Sequence, residues 1–248
     1  MLKKIIQSLF HRLGYQVNKL SSIPMQYVAV ENKFTMPKAI ERVAQRNIEI
    51  NTVIDVGASD GRWSESCIMH YPQANYLLIE AQQAHEKGLQ AFKALYANAN
   101  YVIAAAGNKI GEIYFDNSGL FGGLAADVPF EGNCIVVPVT TIDEQVKKYQ
   151  LQAPYLIKLD THGYEVPILE GARETLKKAN IVIIETYNFQ IAKDSLRFWE
   201  MCNYMEDLGF LPIDMVDFMH RKKDNAFWQM DTVFIRKDRA EFQSNDYE

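Results

Sequence analysis

The sequence predicts an α/β fold: a mostly parallel sheet with helices on both faces and an antiparallel strand at the carboxyl end. Three observations predict it. From residue 51 onward, short, continuously apolar runs alternate with helix-like stretches, the pattern of parallel strands buried on both faces. The first run, TVIDVG, breaks into a glycine turn that opens a helix. The last two runs, FLPIDMVDF and FWQMDTVFIRKD, have no helix between them and can pair as antiparallel neighbours.

Residues 1–45 read as a helical extension with a break at SSIP, and residues 46–240 as one domain. In the opening stretch MLKKIIQSLFHRLGYQV, Leu2, Ile5, Ile6, Leu9, Phe10 and Leu13 share one helical face, with Lys3, Lys4 and Arg12 elsewhere. Gln7, Ser8, His11 and Arg12 interrupt the apolar character and no small-residue cleavage site follows, so neither a signal peptide nor a membrane span is expected. Such a helix suits packing on its own domain or on a second copy of the chain. Its basic flank also suits peripheral contact of residues 1–20 with an anionic membrane surface.

In the domain, TVIDVG precedes a helix around residues 61–70, and NYLLIEA precedes one near 83–96. NYVIAAAG is a further strand. GEIYFDNSGLFGGLAADVPFEGNCIVVPVTTID reads as a hairpin with a glycine-rich excursion. PYLIKLD leads into a helix over 164–178, and NIVIIET into the helix DSLRFWEMCNYMEDLG.

Bulk composition removes several functions. The chain has 248 residues and a net charge of −5, which argues against a nucleic-acid partner. Cys67, Cys134 and Cys202 show neither zinc spacing nor a disulfide framework, so a reducing, cytoplasmic setting is expected, with the inner membrane surface as the place for any peripheral contact.

The turn after the first strand reads Gly57-Ala58-Ser59-Asp60-Gly61. A dinucleotide fingerprint needs a second glycine where Ser59 stands, so that backbone can approach a pyrophosphate. Asp60 adds negative charge where a helix amino end would welcome phosphate. No P-loop ending follows. Asp55, at the end of the first strand, is suited to an ammonium group, and Glu80, at the end of the second, to a ribose diol. A ligand with an ammonium, a ribose and no phosphate is S-adenosylmethionine. Taken singly, Asp55 reads first as a turn residue and Glu80 as a helix-start acid; the two at this spacing around G-x-x-x-G favour the cofactor.

The segments VIDVGASDGRWS, LIEAQQAHEKGLQ, AAAGNKIGEIYF, VPVTTIDE and LIKLDTHGYEVPILEGA, in this order, resemble FkbM-type methyltransferases, as does WQMDTVFIR near the end. The resemblance covers residues 50–236, and the LIKLDTHGYEVPILEGA block is its most specific part. It implies a class I, Rossmann-like methyltransferase fold and methylation of a hydroxyl, with S-adenosylmethionine contacts on Asp55, Gly57, Ala58, Ser59, Gly61, Glu80 and Ala81. The adenine would lie near Ala105 to Gly107, centred on Ala106.

The acceptor oxygen must be aligned with the methyl group and lose its proton. Asp160 ends the fourth strand, and His162 follows at the loop, where a neutral imidazole could act as the base with Asp160 orienting it. The family commonly carries an acid at the position of His162, so this base need not behave as in other members. Lys158 in a buried strand needs a partner, and Asp160 is the nearest. Glu185 ends the next strand and could share the crevice. Imidazole and carboxylates suit several metals, but no clustered ligand spacing is present and methyl transfer needs none, so no metal is assigned. Asp231 could point the same way or simply close the fold. The glycine-rich segment could act as a lid, and Tyr187, Asn188 and Phe189 could line an acceptor site. What the resemblance implies is an S-adenosylmethionine-dependent O-methyltransferase acting on a hydroxyl of a saccharide or glycoconjugate, a small-molecule or glycan acceptor, in glycan biosynthesis. The rival is a non-catalytic cofactor-binding partner in glycan or natural-product assembly.

Overall fold

The computed structural model describes residues 32–247. The amphipathic stretch at residues 1–20, with its proposed membrane or subunit contact, lies outside the described residues. The first described helix, α1 (Met36–Gln45), starts with Pro37 in its first turn, where a missing N–H costs nothing. It falls within the stretch read as the extension. Its apolar face of Met36, Ala39, Ile40 and Val43 is buried in the core of the sheet.

Among the described residues the main sheet has seven strands: β1 (Thr52–Val56), β2 (Asn75–Glu80), β3 (Ala99–Ile103), β8 (Tyr155–Leu159), β9 (Ala179–Tyr187), β10 (Phe210–His220) and β11 (Phe227–Arg236). Their spatial order is β10-β11-β9-β8-β1-β2-β3. β1 pairs in parallel with β2 and β8, β2 with β3, and β8 with β9. β11 runs antiparallel to both β9 and β10. This is the mostly parallel sheet with an antiparallel closing strand that the class I methyltransferase resemblance implies.

Strand residues alternate between the two faces. Val53, Tyr76, Leu78, Leu156, Ile181 and Ile183 pack under α1, α2 (Arg62–Ile68) and α3 (Glu86–Leu95). Ile54, Val56, Leu77, Ile157, Leu159 and Val182 face four other helices. These are α4 (Ile142–Lys148), α5 (Glu165–Glu170), α6 (Arg173–Leu176) and α7 (Phe198–Asp207). The same alternation puts Asp55 and Lys158 on the α1–α3 face, and the β1–β8 register sets them side by side.

A second, four-stranded sheet, β4-β7-β5-β6, stands beside the first. It contains β4 (Ala105–Ala106), β5 (Gly111–Asp116), β6 (Leu124–Ala126) and β7 (Ile135–Thr140). The hairpin expected from the sequence is the antiparallel β5–β7 pair, and its glycine-rich excursion carries β6. The run NYVIAAAG is split between the sheets. β3 stays with β2, Ala104 donates its N–H to the Glu80 carbonyl at 2.9 Å, and β4 joins β7. The helix expected over 164–178 is broken into α5 and α6. At the break, a Cβ on Gly171 would stand 2.0 Å from the Gly107 carbonyl oxygen, so the chain turns where two backbones touch. No helix among the described residues is long and apolar enough to cross a membrane.

Candidate active site

The winding of the main sheet reverses between β3 and β8, so a crevice opens beyond the carboxyl ends of β1 and β8, where ligands bind in such sheets. Gly57 makes the first turn there with φ +73°, and a Cβ on it would stand 2.0 Å from the Asp160 carbonyl oxygen. Only glycine permits both the dihedral and the approach. Ser59 also has a positive φ, and its N–H donates to Glu80 Oε2 at 2.8 Å. The Gln82 N–H donates to Glu80 Oε1 at 2.8 Å. Two backbone donors therefore hold the Glu80 carboxylate at the rim of β2.

The crevice is a cavity of about 930 Å³. Of the residues expected to bind cofactor, Gly57, Ser59, Glu80, Ala81 and Ala106 line it, as do Asp160 and His162. Asp55, Ala58 and Gly61 are not among its lining. Ala58 is buried, and Gly61 caps α2 over the ring of Phe92. Asp55 is fully buried; the Ser64 hydroxyl donates to it at 2.8 Å and Lys158 Nζ stands 3.4 Å away. The ammonium that this carboxylate meets is a side chain of its own protein. Burial pushes the Asp55 pKa up, against the pull of Lys158 and Ser64. Asp60 is engaged by Arg62, with bonds of 2.8 and 2.6 Å that hold its pKa down.

The glycine-rich excursion forms one wall. Gln82 Nε2 donates to the carbonyls of Gly119 and Leu120, each at 3.1 Å. His85 Nε2 lies 2.8 Å from the Leu120 carbonyl and its Nδ1 3.3 Å from Ser59 Oγ. A carbonyl cannot donate, so Nε2 carries a proton. Phe121 packs against the His85 ring and under the Arg62 guanidinium. Gln82 and His85 escaped the sequence reading. Their spacing after Glu80 was the available signal, and its meaning depended on a loop 35 residues downstream.

At the far end, the Asp160 N–H continues the ladder by donating to the Val56 carbonyl at 3.0 Å. Lys158 Nζ donates to Asp160 Oδ2 at 3.1 Å and to the Gly57 carbonyl at 3.4 Å. Burial disfavours the ammonium, but Asp55 and Asp160 outweigh it and raise the Lys158 pKa. Burial likewise opposes the Asp160 carboxylate, and Lys158 prevails in lowering its pKa. Lys158 is thus the buried ion-pair residue anticipated, with two partners instead of one.

His162 has φ +53° and is followed by Gly163 at +97°. Glu165, in the first turn of α5, accepts from Thr161 Oγ1 at 3.1 Å and from the Gly163 N–H at 2.9 Å, which fixes that loop. The His162 Nε2 faces Glu185 Oε2 at 3.8 Å. Burial lowers the His162 pKa below its ordinary value against the pull of Asp160, which favours the neutral ring. Glu185 accepts from the Tyr187 hydroxyl and the Gln229 amide. Burial and then Asp160 push its pKa up to about 9. Asp231 stands opposite Glu185 in the β9–β11 register, outside the cavity lining, and burial raises its pKa to about 7. Asp160, His162 and Glu185 bring one ligand atom each within 4.8 Å of one another. Tyr187 and Phe189 line the cavity, whereas Asn188 turns its amide to the Phe227 carbonyl. Trp228, Gln229 and Arg221, from the β10–β11 pair, complete that end.

The sequence matches the model of the methyltransferase FkbM domain over residues 55–212, more than half of the chain. No curated protein matches it. Among solved structures, it is similar to methyltransferase FkbM from Methylobacillus flagellatus KT, with 19% identity, a TM-score of 0.49, and coverage of 74% of this chain and 43% of that one. The chain therefore spans less than half of that relative. It is also similar to M. capricolum TrmK in complex with S-adenosyl-homocysteine, with 10% identity, a TM-score of 0.47, and coverage of 80% and 67%. A third is the precorrin-6y C5,15-methyltransferase from Geobacter metallireducens GS-15, with 10% identity, a TM-score of 0.43, and coverage of 80% and 88%. The family match takes in the glycine turn, Glu80, the Asp160–Glu165 block and Glu185, and on it the chain belongs to the FkbM methyltransferase family.

Proposed function

We propose that the protein transfers the methyl group of S-adenosylmethionine to a hydroxyl of a saccharide or glycoconjugate. The observation that carries this reading is one continuous cavity with two chemically different ends. Near β2, Glu80 is held by two backbone N–H groups, beside Ala81, Ala105, Ala106 and Phe115. A carboxylate suits a ribose diol, and small apolar side chains suit an adenine. Near β8 and β9 stand Asp160 and His162, with aromatic and amide side chains around them. Those surfaces suit the apolar face and hydroxyl rim of a sugar.

Transfer is an in-line displacement. The acceptor oxygen bonds to the methyl carbon as the carbon–sulfur bond breaks, and its electron pair stays on sulfur, giving S-adenosylhomocysteine. The hydroxyl proton must also leave. An unprotonated imidazole beside carboxylates promotes this either by accepting the proton or by holding a cation that acidifies the hydroxyl. Both routes assign the acceptor chemistry to Asp160 and His162.

The test is incubation of the full chain with methyl-labelled S-adenosylmethionine and oligosaccharide acceptors. Label that survives mild base is expected, because a methyl ether resists it. Base-labile label would mean a carboxylate acceptor. Saturable cofactor binding without transfer to any acceptor pool would identify a non-catalytic binding partner.

A further inference from the structure

We propose that Asp160, His162 and Glu185 form a binding site for one hard divalent cation of the Mg²⁺ or Mn²⁺ class. The role given to the ion, as the group that binds the acceptor oxygen, rests on the methyl-transfer reading above. The three side chains come from the carboxyl ends of adjacent parallel strands, β8 and β9, and all line the cavity. Their donor atoms lie within 4.8 Å of one another. The His162 Nε2 to Glu185 Oε2 separation of 3.8 Å is too long for a hydrogen bond. It suits two ligands of one ion, since atoms each ~2.1 Å from a common centre lie roughly 3–4 Å apart.

The groups behind the ligands are those a cation site requires. Tyr187 and Gln229 donate to Glu185, and Lys158 donates to one oxygen of Asp160. Such donors orient carboxylate ligands without taking all their lone pairs. One imidazole with two carboxylates favours Mg²⁺ or Mn²⁺ over ions that prefer thiolates. Water and the acceptor hydroxyl would fill the remaining positions. A bound ion would lower the hydroxyl pKa, and the proton would leave to solvent. In this arrangement His162 is a ligand, not the base.

The experiment is titration of the full chain with Mn²⁺, following the loss of the free-ion signal by electron paramagnetic resonance, with Mg²⁺ as competitor. One Mn²⁺ per chain is expected. Glu185→Gln and His162→Ala should each weaken it at least about tenfold, while S-adenosylhomocysteine binding, measured alongside, stays within about twofold. Mn²⁺ that remains free at millimolar concentration overturns the site. So does equal binding to wild type and both variants. Full methyl transfer in excess chelator overturns the catalytic role and leaves His162 as the base. Absence of cofactor binding would sink the methyl-transfer reading, while Mn²⁺ binding is measured independently of it.

Discussion

Replacing Lys158 with methionine removes the ammonium and keeps most of the side chain's bulk. In the native protein, the ammonium lies 3.4 Å from Asp55 Oδ1 and 3.1 Å from Asp160 Oδ2, and it faces the Trp63 ring at 5.6 Å. Asp55 is 0% exposed, so without Lys158 its carboxylate keeps, among the described residues, only the Ser64 hydroxyl as a partner. Removing one member of a buried pair costs about 3–5 kcal/mol. For a domain of this size, that lowers the melting temperature by roughly 6–20 °C. Folded Asp55 already has a raised pKa, and losing Lys158 raises it further. A group with a raised folded pKa stabilises below its unfolded pKa, and that contribution fades as pH climbs through the folded value. Asp160 acts in the same direction: its depressed pKa supplies wild-type stability that is lost as pH falls. The deficit of Lys158→Met should therefore be small at low pH and grow toward neutrality. Urea unfolding at several pH values measures it. The double variant Asp55→Asn/Lys158→Met should recover at least about 1 kcal/mol. An unchanged midpoint for Lys158→Met, or a deficit that shrinks as pH rises, would refute the reasoning.

Gly57→Ala should lose roughly 2–5 kcal/mol of stability and most cofactor affinity. It places a Cβ 2.0 Å from the Asp160 carbonyl at φ +73°, and unfolding together with calorimetry checks this. Glu165→Ala frees Thr161 Oγ1 and the Gly163 N–H. It should lower kcat at least about tenfold with little change in cofactor affinity, whereas Glu165→Gln, which keeps an acceptor oxygen, should restore most of the rate.

The cavity-lining positions legible in the sequence are those set by one strand and the turn that follows it. Gly57, Ser59, Glu80, Asp160, His162 and Glu185 each end a continuously apolar run or begin the loop after it. In a parallel sheet those ends meet on one edge. Asp55 lies outside that lining for a different reason. Its partner depends on which strand lies beside β1 and in which register, and the Asp55–Lys158 pairing joins two strands distant in the sequence. The wall formed by Gln82, His85 and Leu120 joins a strand end to the tip of a distant excursion. Trp228, Gln229 and Arg221 reach the site through the antiparallel β10–β11 pair, whose inward face no local pattern announces. Gly171, where the helix breaks, lies against the Gly107 carbonyl, a contact with no trace in helical periodicity.

The most direct test of the account is calorimetric binding of S-adenosylhomocysteine to wild type and to a folded Glu80→Ala variant, with NAD in parallel. One S-adenosylhomocysteine per chain is expected, weakened by about 1–3 kcal/mol in the variant, the scale of a charge-assisted hydrogen bond. Unchanged affinity in Glu80→Ala, or tighter binding of NAD than of S-adenosylhomocysteine, would contradict it.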